Sequence, residues 1–110
     1  MREVKLSVTE NNVLVCHLGE SAYALNKAQF GRPMRLNVEF PPEWDRAVKV
    51  MEFYDRNHNE CTPQVIENGS CIVPPEALKD LVFFVKILGK KNGKIMRTDK
   101  LTISQIGGLI

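Results

Sequence analysis

Met34-Arg35-Leu36-Asn37-Val38-Glu39-Phe40-Pro41-Pro42-Glu43-Trp44-Asp45 decides how the rest of this chain is read. Met34, Leu36, Val38 and Phe40 alternate with Arg35, Asn37 and Glu39, the period of two that puts apolar side chains on one face of a half-buried strand. Pro41-Pro42 ends the strand, because proline cannot donate to a ladder. Trp44, the only tryptophan, follows at once. A buried indole covers a large apolar area and still needs a partner for its N–H, so Trp44 is expected to pin the chain reversal after the strand.

The same period recurs on both sides. Val4, Leu6 and Val8 alternate with Lys5, Ser7 and Thr9; Asn11-Asn12 breaks the run, and Val13 to Cys16 completes a predicted hairpin. Residues 21 to 29 read as a helical turn or an irregular crossover. Val48, Val50 and Glu52 alternate with Met51 and Phe53, and the polar stretch from Asp55 to Asn59 ends that strand. Thr62 to Ile66 and Ser70 to Val73 flank Asn68-Gly69, a pair that tolerates positive φ and predicts a tight hairpin. Pro74-Pro75-Glu76-Ala77-Leu78 can start one helical turn, with proline where its missing N–H matters least. Leu81 to Leu88 is apolar on both faces apart from Lys86 and reads as a central strand. Gly89-Lys90-Lys91-Asn92-Gly93 turns it into Lys94 to Met96, and Leu101 to Ile103 comes last.

Seven or eight short strands at intervals of about ten residues predict an all-β fold, an antiparallel sandwich or barrel, with the sandwich as the first choice. At 110 residues and 12.5 kDa the chain fits one domain, which buries roughly 65% of its unfolded surface. That domain is expected to span residues 1–105. Residues 106–110, with Gly107-Gly108 ahead of two apolar residues, read as a flexible end or the entry to a further segment.

Composition narrows the class without naming an activity. Hydrophobic content of 44% and charged content of 25% are ordinary for a globular domain and set disordered and fibrous classes aside. A net charge of +2 is too mild to imply nucleic acid, which needs the excess clustered on one face. Three cysteines, Cys16, Cys61 and Cys71, cannot all pair within the chain, and Met1-Arg2-Glu3-Val4 lacks the apolar core of a signal peptide. Together they predict a reducing compartment. The longest apolar run, Leu81 to Val85, is five residues against the roughly twenty that a membrane helix needs.

Chemistry-bearing residues are sparse. Cys16, His17, His58 and Cys61 supply zinc-ligand atoms, but Cys16 and His17 point to opposite faces of a strand, and no second cysteine pair supports them. Core cysteines and surface histidines are the expectation, with no metal, no cofactor and no catalytic residue. A cysteine–histidine nucleophile lacks a fixed base or oxyanion donor. Glu43 with Asp45, and Glu52 with Asp55, are neighbours that chance provides at this charge content. Lys90, Lys91, Lys94, Arg97 and Lys100 could grip phosphate, yet a lysine-rich turn is also what keeps a sheet edge from pairing with another chain.

Residues from about Leu36 to Ile103 resemble an immunoglobulin-like sandwich module of structural proteins from tailed bacteriophages and prophages. The shared features are a strand leading into Phe40-Pro41-Pro42-Glu43-Trp44-Asp45, a strand like Val48 to Tyr54, and a hairpin at Asn68-Gly69. The step Cys71-Ile72-Val73-Pro74-Pro75-Glu76-Ala77-Leu78 and strands like Val82 to Gly89 and Arg97 to Ile103 follow in the same order. Many members carry an aromatic residue where Pro75 stands and glycine where Asp80 stands, and residues 1–30 align by strand character alone. The resemblance implies a non-enzymatic virion component made in the bacterial cytoplasm: an adaptor or attachment domain of a baseplate, tail fibre or head fibre. Its partners would be other virion proteins and, in the full-length protein, copies of itself, with no nucleic acid and no membrane. Phe40, Pro41, Trp44, Asn68, Gly69, Pro74, Glu76 and Leu78 are then core and turn residues. A capsid-decoration protein is one alternative. Another is a sandwich that binds a host surface glycan or a peptide, with Tyr23, Phe30, Trp44 and Tyr54 as candidate stacking residues.

Overall fold

The computed structural model describes residues 1–17 and 30–105. Tyr23, the stretch 21–29 and the tail 106–110 lie outside the described residues. Nine strands are described: β1 (Arg2–Val8), β2 (Leu14–Cys16), β3 (Met34–Glu39), β4 (Val48–Tyr54), β5 (Gln64–Val65), β6 (Ser70–Ile72), β7 (Val82–Lys91), β8 (Lys94–Arg97) and β9 (Leu101–Ser104). The count is one or two above the seven or eight expected, and β5 is only two residues long. The strands form an all-β sandwich of two sheets, one ordered β2-β1-β3-β6 and the other β5-β4-β7-β8, with β9 also on β7.

The alternation predicted for the first sheet is met residue by residue. Val4, Leu6 and Val8 of β1, with Met34, Leu36 and Val38 of β3, face the core, while Glu3, Lys5, Arg35 and Glu39 point away. Alternation fixes which face is buried but not which way a neighbour runs: β1 and β3 pair in parallel, Val4 beside Leu36 and Leu6 beside Val38, while every other ladder is antiparallel. In the second sheet Met51 and Phe53 of β4 meet Phe83, Val85 and Ile87 of β7 inside the sandwich. The partners of Met51 and Phe53 along β4, namely Val48, Val50 and Glu52, therefore face outward.

Asn68-Gly69 makes the predicted turn but not the predicted hairpin. Both residues have positive φ, 52° and 77°, and Glu67 and Ser70 exchange backbone hydrogen bonds across them. The flanking strands nonetheless belong to different sheets, β5 to the second and β6 to the first. The turn is a corner where the chain changes layers, held by the Val38 N–H donating to the Gly69 carbonyl at 2.7 Å. The turn after β7 is also tighter than the five-residue reading: β7 runs on to Lys91, and Asn92-Gly93 alone reverses the chain, at φ of 51° and 78°.

The far edge of β7 is interrupted by a bulge. Leu88 pairs with Arg97 and Val85 with Leu101, so Thr98, Asp99 and Lys100 face only Lys86 and Ile87. The buried Thr98 side chain mends the gap: its Oγ1 accepts the Ile87 N–H at 3.0 Å, while the Ile87 carbonyl accepts the Thr98 N–H. An extra residue on one strand with a local repair is how an edge ends its pairing.

Candidate functional site

Trp44 closes one end of the sandwich. Pro42–Trp44 forms a 3-10 turn, entered through extended Pro41 and closed by the Trp44 N–H on the Pro41 carbonyl at 2.9 Å. The indole is fully buried, its N–H donates to Asn12 Oδ1 at 2.9 Å, and the Phe40 ring lies tilted against it at 5.3 Å. Gly89 makes room: a Cβ there would fall 2.6 Å from the indole, closer than side-chain atoms pack. Glu43 beside it takes an ion pair from Lys94 at 3.1 Å, and its carbonyl accepts from Lys91 at 3.4 Å. Two lysines of the basic hairpin are thus tied to the tryptophan turn.

The candidate stacking residues are not brought together. Trp44 has no exposed ring face, and Tyr54 is 8% exposed, so neither offers a face to a sugar as the structure stands. Phe30 is half-buried, and Tyr23 lies outside the described residues. Tyr54 instead anchors a polar–aromatic knot. Its hydroxyl donates to Glu52 at 3.1 Å, the Lys100 ammonium sits 3.8 Å from the ring centroid and 3.5 Å from His58 Nδ1, and His58 stacks on Phe84 at 4.3 Å. Burial first, then the hydrogen bond and charge of Glu52, push the Tyr54 phenol above its ordinary pKa.

The acidic pairs are likewise committed elsewhere. Asp55 accepts the N–H groups of Asn57 and Asn59 at 2.8 and 2.9 Å, and the Asn59 bond leads the causes that hold its carboxyl below the usual range. His17, just past β2, is bonded to Ser7 of β1 at 2.9 Å, and burial raises the thiol of Cys61 and drives that of Cys71 up to about 12, against thiolate chemistry. Among the described residues no group of three or more His, Cys, Asp or Glu is placed to hold a metal.

Asn68 and Gly69 sit at the rim of an open groove of about 520 Å³ on the outer face of the first sheet, floored by Glu3, Lys5, Asn37 and Glu39. Its polar groups bond one another, Asn37 to Glu3 at 3.0 Å and Lys5 to Glu39 at 3.3 Å. Glu76 joins two segments by accepting from Thr62 Oγ1 at 2.7 Å, and Leu78 is buried beneath it in the 3-10 turn Pro75–Lys79, whose N-cap is Pro74.

The outer face of the second sheet is unlike the first. Val65 pairs with Val50, Val50 with Leu88, and Leu88 with Arg97; in the next row Val48 pairs with Lys90, and Lys90 with Ile95. Val48, Val65 and Ile95 are 65%, 56% and 56% exposed. None of these was singled out as a site from the sequence. The signal was present, because β4 is apolar at both parities while only one parity can face the core. Comparison with family models, with curated proteins and with solved structures found no match for this chain.

Proposed function

We propose that this chain is a non-enzymatic assembly module, a virion structural protein of a tailed bacteriophage serving as an adaptor or attachment domain of a baseplate, tail fibre or head fibre. The observation that carries it is the aliphatic surface in which Val48, Val65 and Ile95 are exposed and the half-buried Val50 and Leu88 lie between them. Contiguous exposed apolar surface on a folded domain marks an interaction site. The sequence resemblance supports the same reading, since the residues that carry it, Phe40 to Asp45 and Cys71 to Leu78, hold the sandwich together around Trp44 and Leu78. Other virion proteins and further copies of the chain are the partners this implies, with the virion as its location.

The test is mass spectrometry of phage particles purified by density gradient after induction of the source strain. The chain should co-purify in fixed ratio to the major structural proteins; its absence from intact particles rejects the virion assignment. A capsid-decoration role is separated by stripping tails from heads and asking which fraction keeps it. The polar groove at Asn37 and Asn68 favours a second reading, a glycan-binding sandwich. In that case cell-wall glycan fragments should shift the amide resonances of those two residues, and unmoved resonances dismiss it.

A further inference from the structure

We infer that the outer face of β4, β7 and β8 receives an acidic, ridged protein surface: a partner strand or sheet whose aliphatic side chains alternate with carboxylates. The inference rests on the assembly-module reading and adds to it the chemistry of the partner. The face has two kinds of group in one plane. Val48, Val50, Leu88 and Ile95 supply aliphatic rows, and Lys86, Lys90 and Arg97 stand among them from the same parity of β7 and β8. Among the described residues none of these three cations has an ion pair within 4.0 Å. Glu52, the one carboxylate on the outward parity of β4, lies opposite Lys86 and accepts from the Tyr54 hydroxyl, so Lys90 and Arg97 are the two cations with no carboxylate opposite them on the neighbouring strand.

Shape selects between partners. Lysine and arginine reach further from the sheet than valine does, so a flat surface laid on this face meets the cations first and leaves the valines wet. A pleated partner can satisfy both, because its own side chains alternate with the strand period and packed sheets interdigitate at about 10 Å. Carboxylates on it would pair with Lys86, Lys90 and Arg97 while its aliphatic residues cover Val48, Val50 and Ile95. A second copy placed face to face would set these three cations against their equivalents, a like-charge arrangement that disfavours association. Nucleic acid would satisfy the cations but bury no aliphatic surface, and the outward aromatics of the face, Tyr54 and Phe84, lie beyond Lys86 with Tyr54 buried and Phe84 stacked by His58, so neither is open for bases to stack on.

The experiment uses the isotope-labelled full chain and a synthetic peptide of about ten residues alternating valine and glutamate, the length of a long strand. Amide resonances of Val48, Val50, Leu88 and Ile95 should move on titration. Binding should weaken at least about tenfold in Lys90→Glu and fall with added salt, as exposed charge pairs do. The buried emission of Trp44 checks that the variant is folded. A matching valine–lysine peptide, vesicles of mixed phosphatidylcholine and phosphatidylserine, and a single-stranded DNA oligonucleotide complete the series. Equal response to the lysine peptide, response to vesicles or DNA alone, self-association abolished by Ile95→Lys, or no response on this face each overturns the proposal. None of these outcomes depends on whether the chain is found in virions, so the two proposals fail separately.

Discussion

At one end of β1 the sandwich is capped by Trp44, whose single polar atom meets Asn12 at 2.9 Å; at the other it is capped by Arg2, a cation only 5% exposed. Arg2 Nη2 donates to the Arg32 carbonyl and to Gln105 Oε1, but Nε and Nη1 are buried with no partner. Gln105, fully buried, donates through Nε2 to the carbonyls of Leu78 and Asp80 at 2.9 and 2.6 Å and also accepts from Gly31. Burial pushes the Arg2 pKa down, against the charge. The contrast teaches that a neutral side chain with one satisfied donor closes an end at little electrostatic cost. A buried cation instead needs a network and still leaves donors over.

The largest test of that contrast is Trp44→Ala. Removing the indole leaves a cavity and an unpaired Asn12, and should cost about 3–5 kcal/mol by denaturant titration. Gln105→Leu attacks the opposite end, orphaning the carbonyls of Leu78 and Asp80 and the N–H of Gly31. It should cost about 2–3 kcal/mol, within the range for unsatisfied buried groups; an effect below that of a surface substitution would mean the network is decorative. Gly89→Ala forces a methyl against Trp44 and should cost about 1–3 kcal/mol. The same change in a Trp44→Leu background should cost much less, and a double-mutant cycle with no coupling would break the steric account. Arg2→Met is the sharpest discriminator, because replacing a poorly compensated buried charge by an apolar chain of similar length should leave stability within about 1 kcal/mol or raise it.

The smallest effect lies with Glu76, in the turn that supplies the Leu78 carbonyl to Gln105. Its hydrogen bonds, that from the Thr62 side chain first, lower its carboxyl pKa. The unfolded chain therefore takes up this proton at higher pH than the folded one. The stabilisation is complete above the unfolded value of about 4.3 and is lost as pH falls through the depressed folded value. Thermal melts of Glu76→Gln should show a shallower loss of Tm across that acid window than the parent; identical slopes would remove Glu76 from the account.

Much of this was legible in the chain. Alternation placed β1 and β3, an apolar run on both faces placed β7, the double proline placed the Trp44 turn, and proline chemistry placed Pro75–Lys79. What escaped was whatever depends on residues far apart in sequence. Asn68-Gly69 announces a turn whatever sheet the next strand joins, because positive φ is a local property. The parallel β1–β3 pairing leaves no local mark, since face alternation is the same in either direction. Arg2 shares the parity of Val4, Leu6 and Val8, and that parity was the available sign that a charge would be buried. The open aliphatic rows were hidden for the opposite reason: valine at outward positions of β4 looks the same in sequence whether a third layer covers it or water does.

The hydrogen bond between Arg2 and Gln105 also has a consequence in time. It links residues 103 positions apart, and the parallel ladder beside it joins β1 to β3 across the whole of residues 9–33. Long-range pairings close late, because loop entropy is lost before the contact forms, and folds built on them mature in about milliseconds to seconds rather than microseconds. During synthesis the apolar face of the first strand can be covered once β4 and β7 have emerged, but its Arg2 end stays open until Gln105 has been translated. Closure of that end is thereby tied to a residue more than a hundred positions away from the strand it completes.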